Sequence, residues 1–293
     1  MALLLSPVPL GARLASLWRR SPNSLRIGAA ILAIHVAVAA TGPFWAPYGY
    51  GQMGVGRPLT GLSWEHPFGI DQLGRDIFSR VVYGGHIVIL LSLSGTFVGL
   101  VVGSVIGLWS GYIGGWVDEI VQRLVEVLIS IPFLVLALIA IAGAGPALVG
   151  NPLLVIGVVA LVYAPRIARM ARAAALEIVE RDYVTAARLR GEGAWSVMRR
   201  ELLPNAAGVL LVEFALRAGY APVLIGSLGF LGFGMRPPTP EWGLMISENR
   251  ALLLVAPSAV LAPGLTLASL VVGLNLFTDG LSRLLGRTAL HVA

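Results

Sequence analysis

No cysteine and no lysine occur among the 293 residues, so all 21 basic side chains are arginine. Thiol catalysis, Schiff-base chemistry, disulfide frameworks and cysteine-rich metal sites are excluded by composition alone. A phosphate loop of the form Gly-x-x-x-x-Gly-Lys-Ser/Thr is excluded too, because its lysine is missing, so the chain is not expected to hydrolyse ATP itself. The histidines are His35, His66, His86 and His291. His66 and His86 lack a matched carboxylate spacing and are a weak basis for a nickel or other metal site, and His35 reads as a packing or hydrogen-bonded side chain. Two charged groupings remain. Asp71, Arg75, Asp76 and Arg80 form either a self-satisfied salt-bridged surface or a contact with another protein. Glu213 and Arg217 lie four apart with the acid first, the favourable order on a helix, and they sit in an apolar run. There they are either a structural pair at a subunit interface or residues on a pathway, since charges inside a membrane are functional candidates by default. No acid, base and metal set clusters in the apolar runs as a membrane enzyme would need.

These residues belong to a chain that is 57% hydrophobic and only 12% charged, with a mean hydropathy of +0.83. That is too apolar for a soluble domain of this length and implies an all-α, polytopic membrane protein. Six runs approach the roughly 20 apolar residues a helix needs to cross a bilayer: 27–45, 87–109, 125–142, 148–165, 209–230 and 257–277. The first follows Arg13, Arg19, Arg20 and Arg26 and resembles the start of a signal peptide; five further runs favour an uncleaved anchor helix. Pro132 and Pro165 mark kinks or helix ends. No internal repeat argues for an inverted-repeat secondary transporter.

With a cytoplasmic N-terminus, 15 arginines fall inside and five outside (Arg57, Arg75, Arg80, Arg236 and Arg250), with Arg217 in a span. The positive-inside rule then places both termini in the cytoplasm: an N-terminal segment 1–26, a membrane-spanning body 27–285 and a tail 286–293. Basic inner loops also account for the net charge of +6 and the pI near 10.3 without nucleic acid. The outer segments 46–86 and 231–256 are rich in Gly, Pro and aromatic residues and present surfaces outside.

The inner segment 166–205 dominates the other side. Good helix formers run from Ala171 to Arg190, Gly191 and Gly193 break the helix, and a second helical segment reaches Leu203, with Pro204 opening the next span. Spacing of four puts Tyr183, Ala187 and Gly191 on one face, with Ala186 beside them, making a small and nearly flat ridge. Trp195, Met198 and Leu202 form an apolar stripe, with Arg199, Arg200 and Glu201 towards the polar side. A helix lying on the membrane surface explains the stripe and the arginines. It does not explain the small ridge ending in a Gly-Glu-Gly turn, which fits the close approach of another protein.

YVTAARLRG (183–191) followed by ELLPN (201–205) resembles the cytoplasmic EAA loop of ABC importer permeases, with Ala186, Ala187, Gly191, Leu203 and Pro204 at its recurrent positions. Thr185 stands where that motif carries Glu, leaving its polar contact absent or made by Asp182 or Glu192. Tyr183 before the alanines and Asn205 after the proline are more like the peptide and nickel branch. HPFGIDQLGRDIFSRVVYGGHI (66–87), GYIGGWVDE (111–119), SLGFLGFGMRPPTPEWGLMI (227–246) and NLFTDGLSRLL (275–285) are similar, in the same order, to the C-type subunit of dipeptide, oligopeptide and nickel importers.

The resemblance implies a type I ABC importer permease fold with six transmembrane helices in the cytoplasmic (inner) membrane. It implies a B-type permease subunit as heterodimer partner, two cytoplasmic ATPase subunits that carry ATP and Mg, and an extracytoplasmic substrate-binding protein. The chain itself would bind no cofactor or metal. Tyr183, Thr185, Ala186, Ala187, Gly191, Glu192, Trp195, Leu203 and Pro204 would couple to an ATPase subunit, and Asp71, Arg75, Asp76 and Arg80 would lie on the outer side, either as a self-satisfied salt-bridged surface or capping the pathway and touching the binding protein. Peptides or a related small solute such as a nickel chelate would be the cargo. The alternative is an ion-driven secondary transporter or channel that works without an ATPase.

Overall fold

A computed structural model describes residues 22–289, with side chains to residue 283. Most of the expected N-terminal segment, with Arg13, Arg19 and Arg20, and the last residues of the expected tail, with His291, lie outside the described residues. Helix α1 is Asn23–Trp45 and α2 is Ile77–Ile113. A Gly114–Gly115 turn leads into α3, Gly115–Ser130, which is followed by α4, Phe133–Ala144, and α5, Pro152–Val179. Then come α6, Asp182–Leu189, and α7, Ala194–Val197. A π-helical turn, Met198–Leu202, joins α7 to α8, Leu203–Phe230. The outer helix α9 is Trp242–Asn249, and α10 is Ser258–Ala289. Among the described residues the only bridge outside helices is the isolated Ile70–Asp76 pair.

Five helical stretches are long and apolar enough to cross a membrane, and α3 with α4 makes a sixth if that pair is one span. The third expected run, 125–142, is therefore not one straight helix. It bends by 100° at Ile131 and Pro132, where proline cannot continue the ladder of α3. Pro165, by contrast, lies inside α5 without ending it. The second span begins ten residues before its apolar run, because Asp76 caps α2 by accepting from the Ser79 N–H at 2.7 Å. His86, expected in a loop, is consequently a residue of α2. α2 extends about 55 Å at ~1.5 Å per residue, more than the hydrocarbon core, so at least one of its ends lies beyond it.

The centre of the molecule is the α2–α5 pair. Gly95, Gly99, Gly103, Gly107 and Gly111 recur every four residues on α2, and α5 meets them with Ala160, Ala164, Ala168, Ala171 and Ala175 among its contacts. A Cβ on Gly107 would lie 2.2 Å from the Ala168 carbonyl oxygen, and one on Gly103 2.5 Å from that of Ala164. In lipid, where apolar burial gives little driving force between helices, such backbone approach provides the van der Waals contact that does. Gly157 on α5 has open space around its missing Cβ. Gly107→Ala should therefore lower the melting temperature of the detergent-purified protein, while Gly157→Ala should not. Equal melting of the two variants would contradict the close contact. α1 and α10 pack on each other at the edge of the bundle, where Gly28 leaves a Cβ position only 2.3 Å from the Phe277 N atom.

Candidate functional site

At the arginine-rich end, α5 stops at Val179 and the chain re-enters a helix at Asp182, a break absent from the continuous helix expected to Arg190. α6 ends in a Schellman turn. The Gly191 N–H donates to the Arg188 carbonyl at 2.9 Å and the Glu192 N–H to that of Ala187 at 3.2 Å, with Gly191 at φ +78°. Nothing lies within 4 Å of a Cβ built on Gly191, so backbone conformation, not close fit, requires the glycine.

The expected small ridge is divided by this geometry. Ala187 is 0% exposed and packs, like Val184, into the main apolar core. Its small size serves packing within the chain, and the residue does not lie on an open docking face. Tyr183, Thr185 and Ala186 are exposed. Two large apolar side chains stand out beside them, Leu189 at 84% and Trp195 at 60% exposure. Leu189 escaped the sequence reading because it does not share the Tyr183–Ala187 face; a leucine in a polar, arginine-rich loop was the available signal. Met198 and Leu202, expected in a stripe with Trp195, are buried instead and leave Trp195 alone at the surface.

Of the two acids that could replace the motif Glu, Glu192 is engaged within the chain. It accepts from Arg190 at 2.8 Å and from the Ser196 hydroxyl at 2.9 Å, and these bonds, Arg190 first, hold its carboxyl below the usual carboxylate range. Asp182 and Thr185 are exposed, and neither side chain has a hydrogen-bond partner among the described residues. Arg188 lies over the Tyr112 ring, 4.6 Å from its centroid, and so ties α6 to the end of α2.

Pro204 was expected to open a new span after a separate helix. The helix instead runs unbroken from Ala194 to Phe230. The π turn makes this possible: it widens the ladder where Pro204 lacks an N–H and would crowd the carbonyl four residues earlier, and Leu203 N–H bonds Met198. Leu203 and Pro204 are exposed on this continuous element, which carries Trp195 at one end and Glu213 and Arg217 in its middle. That pair forms as expected, with Arg217 donating to Glu213 Oε2 at 2.9 and 3.2 Å. Near it, Arg166, counted with the inner loop on the sequence, sits halfway along α5.

The outer charges are not a surface. Asp71, Arg75, Asp76 and Arg80 are all buried, so they are unavailable for contact with a binding protein. Asp71 is 0% exposed and accepts from Arg75 Nε at 2.6 Å and Arg80 at 2.9 Å, while both arginines also reach Glu248 at 3.0 and 2.9 Å. Since Glu248 belongs to α9, the network locks the first outer segment onto the second. Asp76 takes His66 Nδ1 at 2.9 Å, and His66 stacks on Tyr48. Just before α9, buried Glu241 caps the helix by accepting from the Gly243 and Leu244 N–H groups, both at 2.8 Å. Burial pushes its carboxyl up to about 7 against the pull of those two bonds. The outer surface is offered by other residues, above all Trp64, which is completely exposed.

The family model described as binding-protein-dependent transport system inner membrane component matches residues 103–290. The di/tripeptide transport system permease protein DppC of Pseudomonas aeruginosa (strain UCBPP-PA14) is 35% identical over 260 residues, covering 87% of this chain and 84% of the relative. The glutathione transport system permease protein GsiD of Shigella flexneri serotype 5b (strain 8401) is 36% identical over 267 residues, covering 90% and 87%. Among solved structures, a chain of the MetNI methionine ABC transporter in inward-facing conformations aligns with a TM-score of 0.54 at 20% identity, over 71% of this chain and 95% of that one; this likeness concerns the fold. The apolar helices, the arginine-rich inner loop and these matches together make the chain a member of the binding-protein-dependent transport system inner membrane components, a multi-pass permease subunit of the cytoplasmic membrane.

Proposed function

We propose that this permease subunit carries di- and oligopeptides, glutathione-like tripeptides included, as one half of a heterodimeric pathway driven by two ATPase subunits and fed by a substrate-binding protein. The observation that carries the coupling is the helix from Ala194 to Phe230: it presents Trp195 at the inner end and continues without a break into the span that holds Arg217. A displacement imposed on Trp195 and Leu189 by closure of the ATPase pair, with ATP and Mg bound there, is passed along a hydrogen-bonded rod to the middle of the membrane. Transport follows only if the nucleotide states differ in affinity for the two permease conformations. The cargo class is supported by the named relatives, which are peptide and glutathione permeases.

The test is uptake by the complete complex in proteoliposomes. Labelled dipeptides and glutathione are expected to enter only with ATP and the binding protein, and to do so in the presence of a proton ionophore. Uptake driven by a proton or sodium gradient with the ATPase subunits absent would establish the ion-driven alternative instead. Selective uptake of a nickel complex would retain the coupling and replace the cargo.

A further inference from the structure

We infer that a basic pocket between α4, α5 and α8 is a binding site for a carboxylate group of the cargo in transit. The pocket has a volume of 150 Å³ and is lined by Phe133, Tyr163, Arg166, Arg217, Tyr220 and Val223. That is room for several waters or for a carboxylate with the atoms next to it. Arg166 lies fourteen residues from the outer end of α5 and Arg217 thirteen from that of α8, so both sit about 20 Å below the outer ends at ~1.5 Å per residue. The two guanidinium groups therefore meet at one level, deep in the membrane.

Their partners are unequal. Arg217 is matched by Glu213, whereas Arg166 donates one bond, to the Val162 carbonyl at 2.9 Å, and has no carboxylate partner among the described residues. The pocket thus holds one net positive charge. Tyr163 lies within electrostatic reach of both arginines, and neither its hydroxyl nor that of Tyr220 has a hydrogen-bond partner among the described residues. Phe133, the first residue of α4, adds an apolar wall. A planar fork of donors, two phenolic hydroxyls and a surplus positive charge in apolar surroundings match a carboxylate in shape and sign. An arginine this deep faces a polar cavity or a partner, not lipid. This inference rests on the peptide reading, because every unmodified peptide brings at least one carboxylate.

The absence of native cysteine makes the pocket directly readable. In the nucleotide-free complex, without binding protein, a Val223→Cys reporter is labelled with a small maleimide while alanylalanine or its C-terminal amide is titrated in. Phe133→Cys serves as a second reporter. Alanylalanine should slow labelling and the amide should not. Arg166→Gln should raise the peptide concentration for half-protection about tenfold, the scale of one lost charge-assisted hydrogen bond, with Arg166→Lys in between. Equal protection by acid and amide overturns the assignment. So does absence of protection in vesicles that still take up the dipeptide with ATP, since the pocket is then closed by a partner side chain or a lipid. Protection by the acid without any ATP-driven uptake leaves the carboxylate site standing and removes the peptide-import reading, and failure of both measurements removes both.

Discussion

Asp71→Ala is expected to be the most damaging single change on the outer side, and to act on folding, not on transport chemistry. Asp71 accepts four hydrogen bonds: from the Leu73 and Arg75 N–H groups at 2.8 and 3.0 Å, from Arg75 Nε, and from an Arg80 guanidinium nitrogen. Its removal leaves two fully buried guanidinium groups sharing Glu248 alone. Breaking a buried ion network by deleting one partner costs about 3–5 kcal/mol, because the remaining charges stay desolvated. Against a typical stability of about 5–15 kcal/mol that is a large fraction. Asp71→Ala should therefore show a lower melting temperature in detergent and faster degradation in cells, with uptake falling in proportion to the folded protein that remains. Glu248→Gln should be milder, since Glu248 reaches the surface and an amide oxygen still accepts from both arginines. If Glu248→Gln were as damaging as Asp71→Ala, the account of Asp71 as the centre of the network would fail. Replacing Asp71, Glu248 and both arginines together by apolar residues of similar volume should recover much of the loss, because no unpaired charge is then left behind.

That network also illustrates what the sequence reveals and what it withholds. The alternation of Asp71, Arg75, Asp76 and Arg80 announces ion pairs, but its burial depends on α9 bringing Glu248 from 173 residues beyond Arg75 and 168 beyond Arg80, which no local pattern encodes. The same limit appears in the inner loop. Spacing of four puts Tyr183 and Ala187 on one side of a helix, yet periodicity cannot say whether that side faces the core or a partner. The structure resolves it through Val184 and Ala187, which turn inward. Gly191 lies beyond the end of α6, where helical spacing no longer applies, and its positive φ is its reason for being glycine. The apolar runs are legible because each span must satisfy its own backbone in lipid. The glycine series from Gly95 to Gly111 was equally available, since a four-residue repeat of glycine within an apolar run is a packing pattern; the partner helix α5 is not readable from it. The bend at Pro132 and the continuity past Pro204 show why proline alone is ambiguous. At Ile131 and Pro132 the helix breaks, whereas at Pro204 a π turn accommodates the ring.

The largest functional effect is expected from Leu189→Asp, which should leave the permease folded and inserted while abolishing coupling. Leu189 is 84% exposed, so a polar replacement removes almost no intramolecular packing. An exposed leucine and an exposed tryptophan six residues apart in a basic segment are the kind of surface residues that a soluble partner covers. Burying a carboxylate at such an interface carries a desolvation cost that leucine does not, and an aromatic anchor at its centre contributes about 2 kcal/mol or more. The expected result is at least about a tenfold loss of ATPase-subunit retention on the purified permease, with a matching loss of uptake, at about 1.4 kcal/mol per factor of ten. Trp195→Ala should act in the same direction and more weakly on retention, because it removes contact without adding a charge. Trp195 also stands at the start of the helix that reaches Arg217, so its loss should lower uptake per ATP hydrolysed as well as retention. Ala187→Leu is the informative contrast. It forces a larger side chain into the core beneath α6 and should lower the melting temperature, an effect Leu189→Asp should not share. Normal ATPase retention and uptake by Leu189→Asp would show that the motor grips this subunit elsewhere on the loop.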